Sequence, residues 1–378
     1  MDSLFKALTT IPDSRKGNHL IYPLDYILLV VFTAVMAGFN AWSEVELYAQ
    51  IYEQDLKRLY KRLSGKTLSH YTPSHDTFAY VFRGLDPTQF QVAFKKWLTG
   101  VFSLLGQHIS IDGKTMRGVK NLELNSECHT VSAYIKGLRV TLDQVFISDK
   151  SNEINAIKEL LDLIDINDSV VTIDAIGTQH SIAKKIVEKG GNYVFNVKAN
   201  QSGTLLELEE HFKPAYKAHI IKTSSLEQGH GRVEERAMES IVDLSQFKDL
   251  ELYKDLDKWQ DIQSIHKLKR VRYDKKTEKE SVQIAYFISS LTDPNEVFSL
   301  IRDHWAVENN LHYCLDVILG EDQSLKRKDN EAKNWNIINK IALFFLEKQM
   351  EKTKIPIKNL RKRNATMKPS QILECDYL

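Results

Sequence analysis

The chain has 378 residues, of which 43% are apolar, and its 51 basic residues nearly balance 50 acidic ones, which leaves a formal net charge of +1. This length predicts two or three folded units, and the apolar content excludes an intrinsically disordered chain. The charge balance excludes a uniformly basic surface, although local basic patches remain open.

Three dispersed cysteines, Cys128, Cys314 and Cys375, exclude a disulfide framework or a paired-cysteine zinc site and favour a reducing compartment. The first residues lack a basic segment followed by an apolar stretch, so no secretory signal peptide is predicted. The longest apolar run, ILLVVFTAVMAGF at residues 27–39, is shorter than the roughly 20 residues that cross a bilayer. We therefore expect a soluble, cytoplasmic protein without a membrane partner.

Residues 1–104 carry the apolar spacing of helices. Residues 25–36 are apolar on most faces and predict a buried helix, and helical spacing recurs at 42–60, 76–85 and 89–105. Pro73 followed by Ser74 is typical of a helix start. We predict an all-helical N-terminal domain whose role is either structural or the binding of DNA ends or a partner.

The pattern then changes to strands. HISID at residues 108–112 alternates with period two into a turn at Gly113, and Lys136-Gly137 joins two β-rich segments as a hairpin. Ser151 or Asn152 is the expected N-cap of the helix that follows. The predicted elements are strands at 108–112, 130–135 and 138–147, a helix at 154–163, a strand at 169–174, a helix at 181–189, a strand at 193–198 and a helix at 205–212. This order predicts a mixed α/β sheet covered by helices, which is the element order of an RNase H-like core.

Residues 213–289 interrupt this core with a β-rich insertion, in which strands are predicted at 232–242, 265–273 and 281–288. The charged run DKKTEKE at 274–280 is the expected turn between the last two strands. Helices are predicted from Pro294 and over 334–351. We therefore divide the chain into a helical N-terminal domain (1–104), a first core part (105–212), the insertion (213–289), a second core part (290–351) and a basic C-terminal tail (352–378).

Two acids follow strands of the predicted core. Asp112 and Asp174 each end a strand, where α/β sheets place ligand sites. On neighbouring strands the two carboxylates repel each other, and a divalent cation would relieve that repulsion. Oxygen-only ligation favours Mg²⁺ or Mn²⁺. The alternative is that each aspartate only caps a turn.

A third ligand is expected on the helix that begins at Pro294. His304, Glu308 and His312 are spaced i, i+4 and i+8 and share one helix face, with Glu308 as the central candidate. One alternative is a zinc site, although the spacing is not the HExxH of metalloproteases. The other alternative is a polar surface face.

Basic residues gather in three places. Lys114 and Arg117 follow Asp112, Lys326 and Arg327 belong to a KRK cluster, and residues 352–368 contain seven Lys or Arg and no acid. Contact with DNA phosphates is the natural use of such clusters, while a frayed, solubilising tail is the alternative for the last. The segment GKT at 113–115 lacks the preceding glycine of a P-loop, so no nucleotide cofactor is predicted.

Short segments along the chain combine into a family pattern. They are IPDSR (11–15), YPL (22–24), IDGKTMRG (111–118), KSNEI (150–154), TIDAIG (172–177), VKANQ (197–201), GHGRVE (229–234), HWAVEN (304–309), LHYCLDV (311–317) and ED (321–322). Each segment is a weak signal alone. Together and in this order, over nearly the whole chain, they resemble the ISAs1-type transposases, a group that includes the H-repeat-associated proteins found beside Rhs elements.

The resemblance implies a DDE transposase on an RNase H-like fold, with Asp112, Asp174 and Glu308 as the metal-binding catalytic triad. It implies two-metal phosphoryl transfer with Mg²⁺, for which Mn²⁺ can substitute, and no covalent protein intermediate. It further implies double-stranded DNA, as element ends and target, for the partner, and a homodimer that joins two ends. Secondary contacts with DNA are predicted for a group of nearby polar residues: Lys198, Asn200, Arg232, His304 and His312.

The helix of Glu308 departs from related patterns. Tyr313 stands where the family often has Trp, and Ile301 and His304 stand where a related Tyr-x₂-Arg-x₃-Glu signature has Tyr and Arg. The leading prediction is a transposase that acts on terminal inverted repeats. The alternatives are a domesticated metal-dependent nuclease with the same triad and a catalytically inactive remnant that binds DNA.

Overall fold

The structure is a computed structural model, which describes residues 2–16, 20–70, 72–121, 126–148, 152–213, 220–229, 231–247 and 253–373. Ser151, Cys375 and His230, the histidine of the GHGRVE segment, lie outside the described residues. Among the helices of the described ranges, none combines the length and the apolar character that crossing a bilayer demands.

The N-terminal region is helical, as the apolar spacing predicts. Every residue of the apolar helix Leu24–Met36 is buried. The helix predicted over 42–60 is two helices that meet at Tyr52. The Ser74 hydroxyl accepts a hydrogen bond from the N–H of Thr77 and caps the next helix, as expected. The helices are α1 (Asp2–Leu8), α2 (Leu24–Met36), α3 (Trp42–Ile51), α4 (Glu53–Ser64), α5 (His75–Gly84) and α6 (Pro87–Val101).

The described strands form one mixed sheet. They are β1 (His108–Asn121), β2 (Ser126–Ile135), β3 (Val140–Ile147), β4 (Val170–Ile173), β5 (Asn192–Val197), β6 (Ile221–Gly229), β7 (Arg232–Ile241), β8 (Ser264–Asp274) and β9 (Lys279–Ser289). Their order in the sheet is β3-β2-β1-β4-β5-β9-β8-β7-β6. Strands β1, β4 and β5 run parallel, and the remaining neighbours are antiparallel. The predicted hairpin at Lys136-Gly137 is confirmed as the connection between β2 and β3.

Helices pack on both faces of this sheet. The remaining helices are α7 (Glu153–Leu163), α8 (His180–Glu188), α9 (Ser202–His211), α10 (Pro294–His304), α11 (Glu331–Thr353), α12 (Ile357–Asn364) and α13 (Pro369–Leu373). Of these, α12 packs against α11, and α13 packs against α4. Because side chains alternate between the faces of a strand, Val171 and Ile173 join the main core. Val170 and Val194 face the other way and pack with Val297 of α10 in a second cluster.

The predicted insertion continues the core sheet rather than interrupting it. Strands β6 to β9 form an antiparallel meander, and β9 pairs with β5 from Val194 opposite Ser289 to Val197 opposite Tyr286. The charged turn predicted after Asp274 is confirmed between β8 and β9. Strand β6 was not predicted, because its side chains are mostly exposed and carry little apolar alternation.

The structure corrects one sequence-based expectation, refines a second and excludes an alternative left open for a third. The predicted turn at Gly113 does not occur, because β1 continues to Asn121 and Gly113 pairs with Val131 of β2. Asn152 occupies the predicted N-cap position of α7, but its side chain makes no capping hydrogen bond. The described part of the C-terminal segment is not a frayed tail, because α12 and α13 bury apolar side chains such as Leu360 and Ile372.

A buried acid on α11 makes stability depend on pH. Burial raises the pKa of Glu347 to about 8. Between pH about 4.3 and 8 the unfolded chain therefore releases this proton while the folded chain keeps it, so stability falls by about 1.4 kcal/mol per pH unit. We expect Glu347→Gln to unfold at higher urea than the wild type, by a margin that grows from pH 5 to pH 8.

Urea titrations at several pH values measure this margin, with Glu351→Gln as the control because that side chain is 39% exposed. Parallel pH profiles of stability for the wild type and Glu347→Gln would contradict the expectation.

Candidate active site

The parallel pairing of β1 with β4 brings two aspartates together. Ile111 lies opposite Ile173 in the register, so Asp112 and Asp174 are the next residues on adjacent strands. Alternation along the strands directs both carboxylates to the face covered by α10. Asp174 directly follows β4, where its carboxylate accepts the N–H groups of Ile176 and Gly177 at 3.1 and 3.4 Å.

Glu308 reaches the same place from the segment after α10. That segment continues as wide π-helical turns at Val307–His312 and Cys314–Ile318, a geometry that occurs frequently at functional sites. Glu308 lines a cavity of about 190 Å³ together with Asp112 and Asp174. All three acids singled out from the sequence therefore converge on one cavity.

The electrostatics of this cavity favour a bound cation. Burial and the neighbouring carboxylates of Asp174 and Glu308 raise the pKa of Asp112 to about 8. The protein thus holds acids together at a cost in free energy that a divalent cation would offset. Ligand atoms of Asp112, Glu308 and His312 lie within 4.8 Å of one another. The donor set therefore fits a divalent cation bound mainly by oxygen.

His312 lies between two of the acids. Its Nδ1 is 3.4 Å from Asp112 Oδ2 and 3.8 Å from Glu308 Oε2, and the contact lowers the pKa of Glu308. Its Nε2 is buried and has no hydrogen-bond partner among the described residues. Because a buried N–H without a partner is costly, the proton of a neutral His312 ring belongs on Nδ1, which faces the two carboxylates. The alternative of a His-x₃-Glu-x₃-His zinc site is disfavoured, because the group of possible ligands among the described residues contains Glu308 and His312 but not His304.

Glu153 is a fourth acid beside the site, and its sequence pattern predicted no functional role. Its side chain is buried, and an added Cβ on Gly113 would lie only 2.3 Å from Glu153 Oε1. Its charge contributes to the raised pKa of Asp112. The only sequence signal was its position at the start of α7, where acids are common for reasons of helix capping.

Three of the predicted DNA contacts, Lys198, Asn200 and His304, lie close to the acids. Lys198 is exposed after β5 and lines the cavity of the three acids. Asn200 donates from Nδ2 to the Ala175 carbonyl at 2.6 Å and so braces the loop that follows Asp174. His304 also lines the cavity and bonds through Nδ1 to the Thr172 hydroxyl at 2.9 Å. Burial lowers the pKa of His304 to about 4.

Two other predicted contacts are internal. Lys114 is 7% exposed, and its ammonium pairs with Asp316 at 2.6 Å and Glu321 at 3.1 Å. Lys326 is also buried, donates to the Asn40 carbonyl and lies over the ring of Trp335 at 3.6 Å. Burial lowers the pKa of Lys326 to about 8. Neither ammonium faces solvent, so the geometry does not support phosphate contacts for them.

The remaining predicted contacts are exposed but more distant. Arg117 lies five residues beyond Asp112 on β1, roughly 16 Å along the strand and on its opposite face. Arg327 is exposed and donates from Nε to the Gly118 carbonyl. Arg232 begins β7 and lies seven residues before Glu239, a separation of roughly 23 Å along that strand. Glu239 in turn lies in register with the end of β5.

A second cavity, of about 320 Å³, adjoins the first. The two share Lys198 and Trp305, and arginines from β7, β8 and α10 line the second. Arg270 lies over the ring of Trp305 at 5.1 Å, and Arg302 pairs with Glu227 at 2.9 Å. These arginines could not be predicted as neighbours from the sequence, because their proximity depends on the pairing of β9 with β5.

Gly118 ends the IDGKTMRG segment against the turn at Glu321–Gln323. A Cβ at this position would lie 2.6 Å from the Glu321 carbonyl oxygen and 2.9 Å from that of Ser324. Backbone atoms cannot yield as a flexible side chain does, so Gly118→Ala is expected to cost about 1–3 kcal/mol of stability. Urea unfolding measures the loss, and Gly229→Ala is the control because nothing lies within 4 Å of its added Cβ. Equal midpoints for the two variants would contradict the expectation.

Comparison with known proteins decides the family. A model described as "DDE_Tnp_1-associated" matches residues 5–98, and one described as "Transposase DDE domain" matches residues 104–345. The chain belongs to the DDE transposase family. This confirms the resemblance found in the sequence.

Relatives of this DDE transposase align with nearly the whole chain. "Putative transposase YncI" of Escherichia coli O157:H7 is 34% identical over 97% of this chain and 92% of its own length. "H repeat-associated putative transposase YhhI" of Escherichia coli K12 is 31% identical over 92% and 90% of the two chains. Among solved structures, a piggyBac transposase synaptic complex with hairpin DNA aligns with 100% of this chain and 78% of that one, at 12% identity and a TM-score of 0.44. That score is too low to carry an argument.

Proposed function

We propose that this DDE transposase cleaves DNA at the ends of its insertion element and transfers the cut strands to a target. The observation that carries the proposal is the convergence of Asp112, Asp174 and Glu308 on one cavity. Family membership makes DNA the substrate class, and the raised pKa of Asp112 indicates a site that favours a cation.

The three carboxylates would hold Mg²⁺, with Mn²⁺ as a substitute. When bound, such cations lower the pKa of an attacking water or 3′-hydroxyl and stabilise the leaving oxygen. His312 Nδ1 lies beside the carboxylates of Asp112 and Glu308 and would help to position them, and Asn200 keeps the loop after Asp174 in place. Lys198, at the rim of the cavity, is suited to attract the scissile strand.

The DNA would follow the exposed cations. From the acids, the backbone would pass along the arginine-lined second cavity, where Arg270 and Arg302 come from the sheet and α10. Arg117, Arg232 and Arg327 are candidates for contacts further along the duplex. Since the whole chain has a net charge of only +1, affinity should depend on these local contacts and fall steeply with salt.

The domain organisation follows the same proposal. Residues 105–212 and 290–351 would form an RNase H-like core that carries the triad, residues 213–289 its insertion, and residues 1–104 the helical N-terminal domain. Residues 352–378 would be a basic C-terminal segment. Because two element ends must be joined, we expect a homodimer on DNA, acting in the cytoplasm on the nucleoid.

The test is cleavage of a DNA fragment that carries the element's own end, with Mg²⁺, with Mn²⁺ and with EDTA. A fragment of the same length with a scrambled end is the matched control. Metal-dependent cutting at the native end and not at the scrambled end is expected. Equal cutting of both fragments would indicate a nuclease without end specificity. Binding of the native end without cutting would indicate an inactive remnant.

A further inference from the structure

A chain of hydrogen bonds lies beneath the carboxylates, on the same face of the sheet. The Thr172 hydroxyl on β4 is 2.9 Å from His108 Nε2 on β1 and 2.9 Å from His304 Nδ1 at the end of α10. The Ser110 hydroxyl is further away, at 3.3 Å from that of Thr172. Alternation along β1 and β4 places these side chains directly before Asp112 and Asp174.

The protons in this chain of hydrogen bonds can be assigned to individual atoms. His108 Nδ1 is buried and has no hydrogen-bond partner among the described residues. A buried N–H without a partner is strongly disfavoured, so the proton of a neutral His108 belongs on Nε2, from which it is donated to the Thr172 oxygen. Thr172 has one proton of its own to donate.

The distances decide where Thr172 donates that proton. The contact with Ser110 is longer than O–H···O hydrogen bonds usually are, whereas the contact with His304 Nδ1 is of normal length. The one proton of Thr172 can go to Ser110 Oγ at 3.3 Å or to His304 Nδ1 at 2.9 Å, and we assign it to the shorter contact, His304 Nδ1. A neutral His304 that accepts at Nδ1 must carry its proton on Nε2.

His304 Nε2 is available to a ligand. Its ring lines the cavity of the three acids, and no hydrogen bond to this nitrogen occurs within the described part of the chain. His304 Nε2 is not one of the buried side-chain atoms that lack a hydrogen-bond partner in this part of the chain. A protonated Nε2 cannot ligate a metal ion, but it can donate to an anion beside one.

We propose that His108 and Thr172 fix the tautomer of His304, so that His304 Nε2–H donates a hydrogen bond to a non-bridging oxygen of the scissile phosphate. The inference rests on the proposed function for the identity of the anion. His304 is then a catalytic residue that touches the substrate, and Thr172 and His108 are positioning residues. The proton stays on His304 throughout, so no proton transfer is required of this chain.

The tautomer can be measured without any catalysis. In protein labelled with ¹⁵N-histidine, the chemical shifts of the two ring nitrogens distinguish Nε2–H from Nδ1–H, and the His304→Gln variant assigns the His304 signals. We expect Nε2–H in the wild type and a loss of that preference in Thr172→Val, which keeps the shape of Thr172 and removes its hydroxyl. Nδ1–H in the wild type, or an unchanged signal in Thr172→Val, would overturn the proposal.

A pair of variants tests the donor role with the same DNA end. Glutamine places an amide N–H near the position of ring Nε2, whereas asparagine places it near Nδ1. We expect His304→Gln to retain most of the single-turnover cleavage rate and His304→Asn to lose about 100-fold, the scale of a lost oxyanion donor. Affinity for Mn²⁺, measured calorimetrically, should be equal in both variants.

The outcomes separate this inference from the proposed function. If the wild type does not cut the native end at all, the proposed function fails, and the tautomer measurement still judges the hydrogen-bond chain. If the wild type cuts and the two variants lose activity equally, the donor role is overturned. A loss of Mn²⁺ affinity confined to His304→Asn would also overturn it, because that result would make His304 a metal ligand.

Discussion

Asp174→Asn is expected to reduce metal-dependent cleavage of the element end about 10³-fold or more, equivalent to about 4 kcal/mol of activation free energy. The amide removes the negative charge that would hold a cation beside Asp112. The fold should survive, because the Asp174 side chain accepts hydrogen bonds from the N–H groups of Ile176 and Gly177, which an asparagine oxygen also accepts. Single-turnover cleavage rates and calorimetric Mn²⁺ binding measure the effect.

The matched control is Asp162→Asn. Asp162 lies on α7, its side chain is 64% exposed, and it pairs only with Lys185 among the described residues. We expect this control to cleave at the wild-type rate, with an unchanged unfolding midpoint. Asp174→Asn and Asp162→Asn make the same chemical change, from a carboxylate to an amide, and differ only in position. Cleavage by Asp174→Asn at the wild-type rate would therefore remove Asp174 from the proposed triad.

The approach of Asp112 to Asp174 could be predicted from the sequence because it depends on local patterns. Strand–helix alternation predicts parallel neighbours, and parallel neighbours place their carboxyl ends side by side. Asp112 follows the last residue of β1 that pairs with β4, although β1 itself continues to Asn121. Glu308 was predictable only as one member of a polar helix face. Its selection over the two histidines relied on the family resemblance, and the π-helical turns that carry it had no signal in the sequence.

Long-range packing accounts for what the sequence did not reveal. Gly113 has the composition of a turn, yet it pairs with β2 as part of a strand, and its lack of a Cβ leaves room for Glu153. Lys114 and Lys326 resemble phosphate contacts because their partners lie far away in the chain: Glu321 is 207 residues from Lys114, and Asn40 is 286 residues from Lys326. Local patterns carry no information on such partners, so burial of these charges could not be predicted.

Lys114→Met is expected to destabilise the protein by about 3–5 kcal/mol, because it leaves buried carboxylates without their cation. Burial alone would lower the pKa of Lys114, but the carboxylates of Glu321 and Asp316 raise it above its ordinary value. The Glu321 side chain is only 2% exposed and also accepts N–H groups from Asn336 and Asn339. Urea unfolding measures the loss, and a double variant with Glu321→Gln should recover part of it by removing the stranded charge.

Arg117→Ala is the comparison that separates a structural lysine from a DNA contact. Arg117 is exposed on the same strand, so its truncation should change the stability by less than about 0.5 kcal/mol. If Arg117 contacts a phosphate, the slope of log affinity against log salt should decrease by about one. The folded fraction of Lys114→Met should keep the wild-type slope, because its ammonium already has two protein carboxylates as partners. A stable Lys114→Met protein whose log affinity falls less steeply with log salt would instead make Lys114 a phosphate contact. Lys114 would then have to separate from Glu321 when DNA binds.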